Sequence, residues 1–215
     1  NMNNMFSSCY TLSSIDLSSF VTTSVTDMGY MFENCFVLTS MVGVEDFDIT
    51  GLNGIADLNG FMDTSSRMTT AQYDALLVNW EAQNVLDGLT PQFGVSTYSG
   101  GSAAATAKQA LIDDHNWTIA DGGIEYFESV WETTATNETI TIPTQNVGTF
   151  NAVVDWGDGS SDTITAYDGF SHVYATAGDH TIKITGSFPN IYFNNGGDKL
   201  KIKRVTQLGQ VGWTN

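Results

Sequence analysis

The stretch Val25-Thr26-Asp27-Met28-Gly29-Tyr30-Met31-Phe32-Glu33-Asn34-Cys35 is a second copy of what precedes it. Met5-Phe6-Ser7-Ser8-Cys9 returns as Met31-Phe32-Glu33-Asn34-Cys35, 26 residues on, and the same offset carries Met2 to Met28, Leu12 to Leu38 and Ser14 to Ser40. A looser third copy, Ile55-Ala56-Asp57-Leu58-Asn59-Gly60-Phe61-Met62-Asp63, follows at an offset of 30, which places an insertion between Val42 and Gly54. A fixed period in the twenties predicts a solenoid, in which each unit buries its apolar positions against the next. Function is then expected on a stacked surface rather than in a closed pocket.

Within a copy, Leu12-x-x-Ile15-x-Leu17-x-x-Phe20 reads as a short strand and turn, and Met28-x-x-Met31-Phe32-x-x-Cys35 has the i, i+3, i+4, i+7 spacing of a helical turn, with Asp27 at its N-cap. Strand plus short helix in 26 residues is the layout of a leucine-rich repeat. On these residues the copies resemble the BspA-type bacterial leucine-rich repeat of surface proteins in Bacteroidetes and mycoplasmas. Residues 1–66 are the expected repeat region. In residues 67–123, Thr69-Thr70 precede an amphipathic helix with Tyr73, Leu76, Leu77 and Trp80 on one face, and Ser102 caps a second helix over 103–112. This segment resembles the one that closes such arrays, and is expected to cap the solenoid.

Residues 124–198 read as all-β, with Thr139-Ile140-Thr141-Ile142, Ala152-Val153-Val154-Asp155, His172-Val173-Tyr174 and His180-Thr181-Ile182-Lys183-Ile184 between Gly, Asn and Asp turns. Trp156-Gly157-Asp158-Gly159 with His172-Val173-Tyr174 resembles the core of a PKD-type, Ig-like β-sandwich. The expected fold class is therefore α+β: a short leucine-rich-repeat solenoid with an α-helical cap, followed by an all-β PKD/Ig-like sandwich.

Residues 199–215 carry the strand pattern Leu200-Lys201-Ile202-Lys203-Arg204-Val205 and end in Trp213-Thr214-Asn215. Written ahead of Asn1, this ending gives W-T-N-N-M-N-N-M-F, which matches Ser24 to Phe32 of the second copy. The segment is expected to be the opening rung for the next unit, making a head-to-tail interface of Ile202, Val205, Leu208 and Trp213 against Met2, Met5, Phe6, Leu12 and Ile15. Copies of the chain are then its first expected partner, and an open fibre the result. The chain starts in mid-motif, as an excerpt of something longer would.

The balance of 7 Lys+Arg against 24 Asp+Glu gives −17 at neutral pH, which disfavours nucleic acid and anionic membranes as partners. No apolar run is long enough for a transmembrane helix. Ser, Thr, Asn and Gly dominate the polar surface, the composition of exported bacterial proteins, so an extracellular or cell-surface location is expected. Cys9 and Cys35 fall at equivalent positions, roughly 5 Å apart in a stack, as two neighbouring thiols or as a disulfide.

No nucleophile–base motif or metalloprotease signature occurs, so no enzyme is expected. Asp155, Asp158, Asp162 and Asp168 cluster in sequence, and Asp46 and Asp48 lie in the insertion. Asp155, Asp158, Asp46 and Asp48 are the calcium candidates, against the turn-making role that Asp-Gly pairs ordinarily have. The expected function is a structural or adhesive module assembled in an array; the alternative is a stand-alone module that recognises a host protein or glycan through a face carrying Ser14, Ser18 and Ser40.

Overall fold

The computed structural model describes residues 1–62, 66–167, 170–209 and 211–213. Asp63, Asp168, Thr214 and Asn215, named above, lie outside the described residues. The chain divides into two compact units: Asn1–Tyr98 with Ser102–Ile124, and Ser99–Gly101 with Glu125–Asn215.

In the first unit the repeats are successive β-turns. Met31 N–H donates to Met28 O, Glu33 N–H to Tyr30 O and Cys35 N–H to Phe32 O, at 3.2–3.3 Å. Met5, Ser7 and Cys9 N–H do the same at 3.2 Å, to Met2, Asn4 and Phe6. Between the turns sit left-handed residues, Asn4 and Ser8 in one copy and Tyr30 and Asn34 in the next. An α-helix cannot contain such residues. Alternate amides donate to the following copy: Met28, Tyr30 and Phe32 N–H reach Asp57, Asn59 and Phe61 O at 2.8–2.9 Å. Copies therefore stack as parallel rungs. The 26-residue offset reappears where β1 (Ser14–Asp16) pairs in parallel with β2 (Ser40–Val42), Ser14 opposite Ser40. Further parallel bridges join Phe32 to Met62, Met62 to Phe93 and Gln92 to Ala120.

The rungs are close-packed. A Cβ on Gly43, which has φ +87°, would lie 2.6 Å from the Ser18 backbone of the rung before it. Met28, Met31, Phe32, Cys35, Leu38 and Met41 are wholly buried.

A 3₁₀ turn (Val44–Asp46) precedes α1 (Thr70–Glu81), whose cap Thr69 accepts from Gln72 N–H. After β3 (Tyr98–Ser99) comes α2 (Ala103–Asp113), capped by Ser102, whose hydroxyl accepts from Ala105 N–H. Tyr73, Leu76, Leu77 and Trp80 of α1 are buried in the same cluster as Met28, Phe32 and Leu58.

The expected class is thereby corrected. The rungs contain turns and short strands where helical turns were expected, and the described residues hold two α-helices. Those helices are part of one core shared with the rungs, so 1–66 and 67–123 are not a solenoid and its cap. The fold is β-rich, and only the Ig-like part of the expectation agrees with it.

The second unit is built on a sheet ordered β10-β4-β9-β6-β7. Its strands are β4 (Ile124–Thr133), β6 (Asn151–Asp155), β7 (Ser161–Ile164), β9 (Gly178–Ser187) and β10 (Ile202–Gln207). A pair, β5 (Glu138–Ile142) and β8 (Phe170–Tyr174), completes it. In β6, Ala152 and Val154 point inward and Asn151, Val153 and Asp155 outward, the alternation of a sheet with one buried face. Trp131, Trp156, Ile182, Ile184 and Phe188 fill the core, and Tyr174 OH donates to Trp156 O at 2.8 Å.

A second difference concerns the segment expected as an opening rung, residues 199–215: its described part Ile202–Gln207 is a strand of the second unit. Strand β10 pairs antiparallel with β4 of its own unit, Ile202 opposite Trp131 and Val205 opposite Ser129. Lys201 pairs with Glu138 and Asp198 at 3.1 Å, and Lys203 with Glu132 at 2.8 Å. With two register shifts and a basic sequence, β10 has the features that protect an edge strand from further pairing.

In the first unit α1, α2 and the final rung meet at one ion pair. Lys108 donates to Asp121 Oδ1 and Oδ2 at 2.9 and 2.7 Å, and Tyr73 OH donates to Oδ2 at 2.6 Å. The two charged side chains are 13% and 4% exposed. Asp121→Ala should leave Lys108 charged and buried, at a cost of about 3–5 kcal/mol in urea unfolding. Removing the exposed Asp87 carboxylate, which meets His115 at 3.0 Å, should cost at most about 0.5–1 kcal/mol. Equal losses from the two variants would contradict this assignment.

Candidate functional site

The carboxylates decide what chemistry the surface offers, and six aspartates are held by the chain's own backbone in one way. Asp16 accepts from Ser18 N–H, Asp27 from Gly29, Asp48 from Thr50, Asp121 from Gly123, Asp155 from Gly157 and Asp158 from Ser160, all at 2.9–3.0 Å. Each is an Asx-turn, in which the carboxylate replaces a backbone carbonyl. The Ser18 hydroxyl and amide hold the Asp16 carboxyl below the usual carboxylate range, and those of Thr50 do the same for Asp48. The sequence signal is Asp followed two positions on by Ser, Thr or Gly.

Of the calcium candidates, Asp48, Asp155 and Asp158 are thus turn residues, and Asp46 is exposed on the 3₁₀ turn. Among the described residues no group of three or more His, Cys, Asp or Glu side chains is placed to hold a metal ion.

Among the described residues Ser160, His172 and Asp158 form a Ser–His–Asp grouping. Asp158 Oδ2 meets His172 Nε2 at 2.7 Å, and the Ser160 hydroxyl lies 3.4 Å from the same nitrogen while donating to Asp158. A proton relay needs serine and carboxylate on opposite ring nitrogens. Here both address Nε2, so the cluster fastens β8 to the turn before β7. His172 stacks on Trp156 at 5.1 Å, and Tyr174 stacks on His180 at 3.6 Å.

The remaining candidates separate cleanly. Met2, Phe6, Leu12 and Ile15 are half-buried against the core of the first unit, with Met5 exposed. Ile202, Val205, Leu208 and Trp213 belong to the second unit, where Ile202 packs on the core and Leu208 is 66% exposed. Trp213 meets Phe127 edge-on at 5.3 Å. Trp80, Trp117, Trp131 and Trp156 are buried. Cys9 and Cys35 are thiols, not a disulfide, and the Cys35 Sγ–H donates to Phe6 O at 3.1 Å.

Residues 1–58 match a family model described as "Mycoplasma protein of unknown function, DUF285". The match covers the repeats and under half of the chain. It does not establish the finer resemblances, to BspA-type repeats and to PKD domains. No curated protein and no solved structure matches the chain. No helix among the described residues is long and apolar enough to cross a membrane.

In the second unit His180 and Asp158 contribute to the pH dependence, alongside Glu138, which the Thr134 and Ala135 amides and Lys201 bring from 4.5 to about 2. Burial lowers the His180 pKa below its usual 6.5, and the Ser160 and His172 contacts bring Asp158 from 3.8 to about 2. Both folded forms bind protons more weakly than the unfolded chain, so both contributions are present at neutral pH and lost in acid. Thermal unfolding should show one decline below about pH 6.5 and a second below about pH 4. His180→Gln should remove the first and Asp158→Asn weaken the second. A midpoint that rises on acidification would contradict both assignments.

Proposed function

We propose that the chain is a structural and adhesive module of an extracellular or cell-surface bacterial protein, used in an array of like modules, and not an enzyme. The observation that best supports this reading is the commitment of six aspartates to Asx-turns. The chain carries 24 Asp+Glu, yet Asp16, Asp27, Asp48, Asp121, Asp155 and Asp158 hold their own backbone. Groups so engaged shape turns and stiffen a scaffold, while general acid–base work needs a carboxylate turned toward a substrate. The net charge of −17 leaves an anionic surface that stays soluble at high local density.

A second reading, a stand-alone module that recognises a host protein or glycan, is supported by one surface feature. Tyr10 and Phe36, 58% and 49% exposed, stack at 5.8 Å with planes 13° apart. Exposed ring faces of this kind suit sugar or side-chain contacts.

Sedimentation and electron microscopy of the purified chain separate the readings. Beaded strings or filaments are expected for the module in an array; dispersed monomers that bind immobilised glycans, and lose binding on Tyr10→Ala, would favour the second. Peptidase and glycosidase screens should stay flat. Turnover abolished by a single carboxylate substitution would overturn the non-catalytic reading.

A further inference from the structure

The turn that opens each copy needs one residue in the left-handed region. In the three copies that residue is Asn4, Tyr30 and Gly60, with φ of 58°, 56° and 58°. Asn and Gly adopt this conformation readily, and an aromatic residue does not. The second copy therefore carries its tyrosine against the preference of the backbone. Gly60 makes room for the ring: a Cβ there would lie 2.6 Å from Tyr30 Cε1 and nearer still to Cδ1. One side of the ring thus lies against Gly60, and the residue remains 40% exposed.

Tyr30 lines a groove of about 360 Å³, together with Phe36, which is 49% exposed. Glu33, Asn34 and Gln92 supply its polar groups. Every lining residue comes from the second copy or a rung after it. Among the described residues the Glu33 carboxylate has one long contact, accepting from the Ser7 hydroxyl at 3.5 Å, and the side-chain amides of Asn34 and Gln92 have no hydrogen-bond partner. The backbone along the groove is already paired: Phe32, Met62 and Phe93 N–H donate to Phe61, Gln92 and Ala120 O at 2.8–2.9 Å. Recognition there falls to side chains, not to strand addition.

We propose that this groove binds an uncharged saccharide. A pyranose has an apolar C–H face, which suits the exposed Tyr30 and Phe36 rings, and an edge of hydroxyls that both donate and accept. Side chains without a partner of their own meet such an edge: Glu33 accepts, while the Asn34 and Gln92 amides do both. The volume falls in the range of small-ligand sites. Acidic sugars are disfavoured, because Glu33 stands in the groove, no Lys or Arg among the described residues lines it, and the chain carries −17. The inference rests on the recognition reading above; it names the ligand class and moves the contact from the Tyr10–Phe36 surface into the groove beside it.

The test is titration of the full chain with cellotriose, maltotriose, mannotriose and chitotriose, followed by calorimetry, with thermal unfolding of each variant alongside. At least one of these sugars should bind. Tyr30→Asn restores the residue type of Asn4 at the same backbone position, so it should keep the fold and weaken binding by about tenfold or more. Gln92→Ala, at an exposed position, should weaken it by about fivefold. Binding of none of the sugars, or binding that neither variant changes, would overturn the proposal. Loss with Tyr10→Ala alone would overturn the groove and leave the recognition reading standing. Binding of tetramethylammonium in place of any saccharide, abolished by Glu33→Gln, would overturn it in favour of a cation cage.

Discussion

In the first two copies of the first unit alternate amides are turned away from their own turns and toward the next rung. In the second copy the amides of Met31, Glu33 and Cys35 close local turns, and those of Met28, Tyr30 and Phe32 cross to Asp57, Asn59 and Phe61. Buried backbone donors need partners, and this division supplies them without a helix. The left-handed residues at Asn4, Ser8, Tyr30 and Asn34 make the division geometrically available. Once it is in place, Met28, Met31, Phe32 and Cys35 all face inward, and the core follows. The Asx-turns at Asp27 and Asp48, and the close approach of Gly43 to Ser18, are consequences of the same spacing.

The charge of the protein has a structural origin in this account. An excess of Asp over basic residues would ordinarily direct attention to cations. Here Asp is the residue that bends the chain at rung corners and at the strand connections of the second unit. Where a carboxylate is buried, as at Asp121, Lys108 compensates it and Tyr73 and the Gly123 amide complete its hydrogen bonding.

The parts legible in the sequence were those set locally. Thr69 and Ser102 announce α1 and α2 because a cap and an apolar face lie within one turn of each other. The 26-residue offset announces which residues face inward, and Ser14 stands opposite Ser40 as the offset requires. The helical reading of Met28 to Cys35 failed because consecutive turns also bring every third or fourth residue to one side. Only the backbone angles at Tyr30 and Asn34 distinguish the two. The fate of β10 was hidden for another reason: its alternation specifies a strand, whereas its neighbour β4 lies some seventy residues earlier in the chain, opposite it at Trp131 and Ser129. The Asx-turn role of the carboxylates lies in the spacing of Asp before Ser, Thr and Gly; the turn role weighed for the Asp-Gly pairs is the one Asp158 plays, while calcium was the alternative.

The claim on which the account turns is that rungs and helices of the first unit form a single cooperative body joined by rung-to-rung hydrogen bonds. Native-state amide hydrogen exchange, residue by residue, tests it most directly. The account predicts that the Met28, Tyr30 and Phe32 amides exchange with the same opening free energy as those of Leu77 and Trp80 in α1, and respond equally to low denaturant. Exchange of the rung amides at markedly lower free energy, with α1 still protected, would show the repeats to be a separate unit and contradict it.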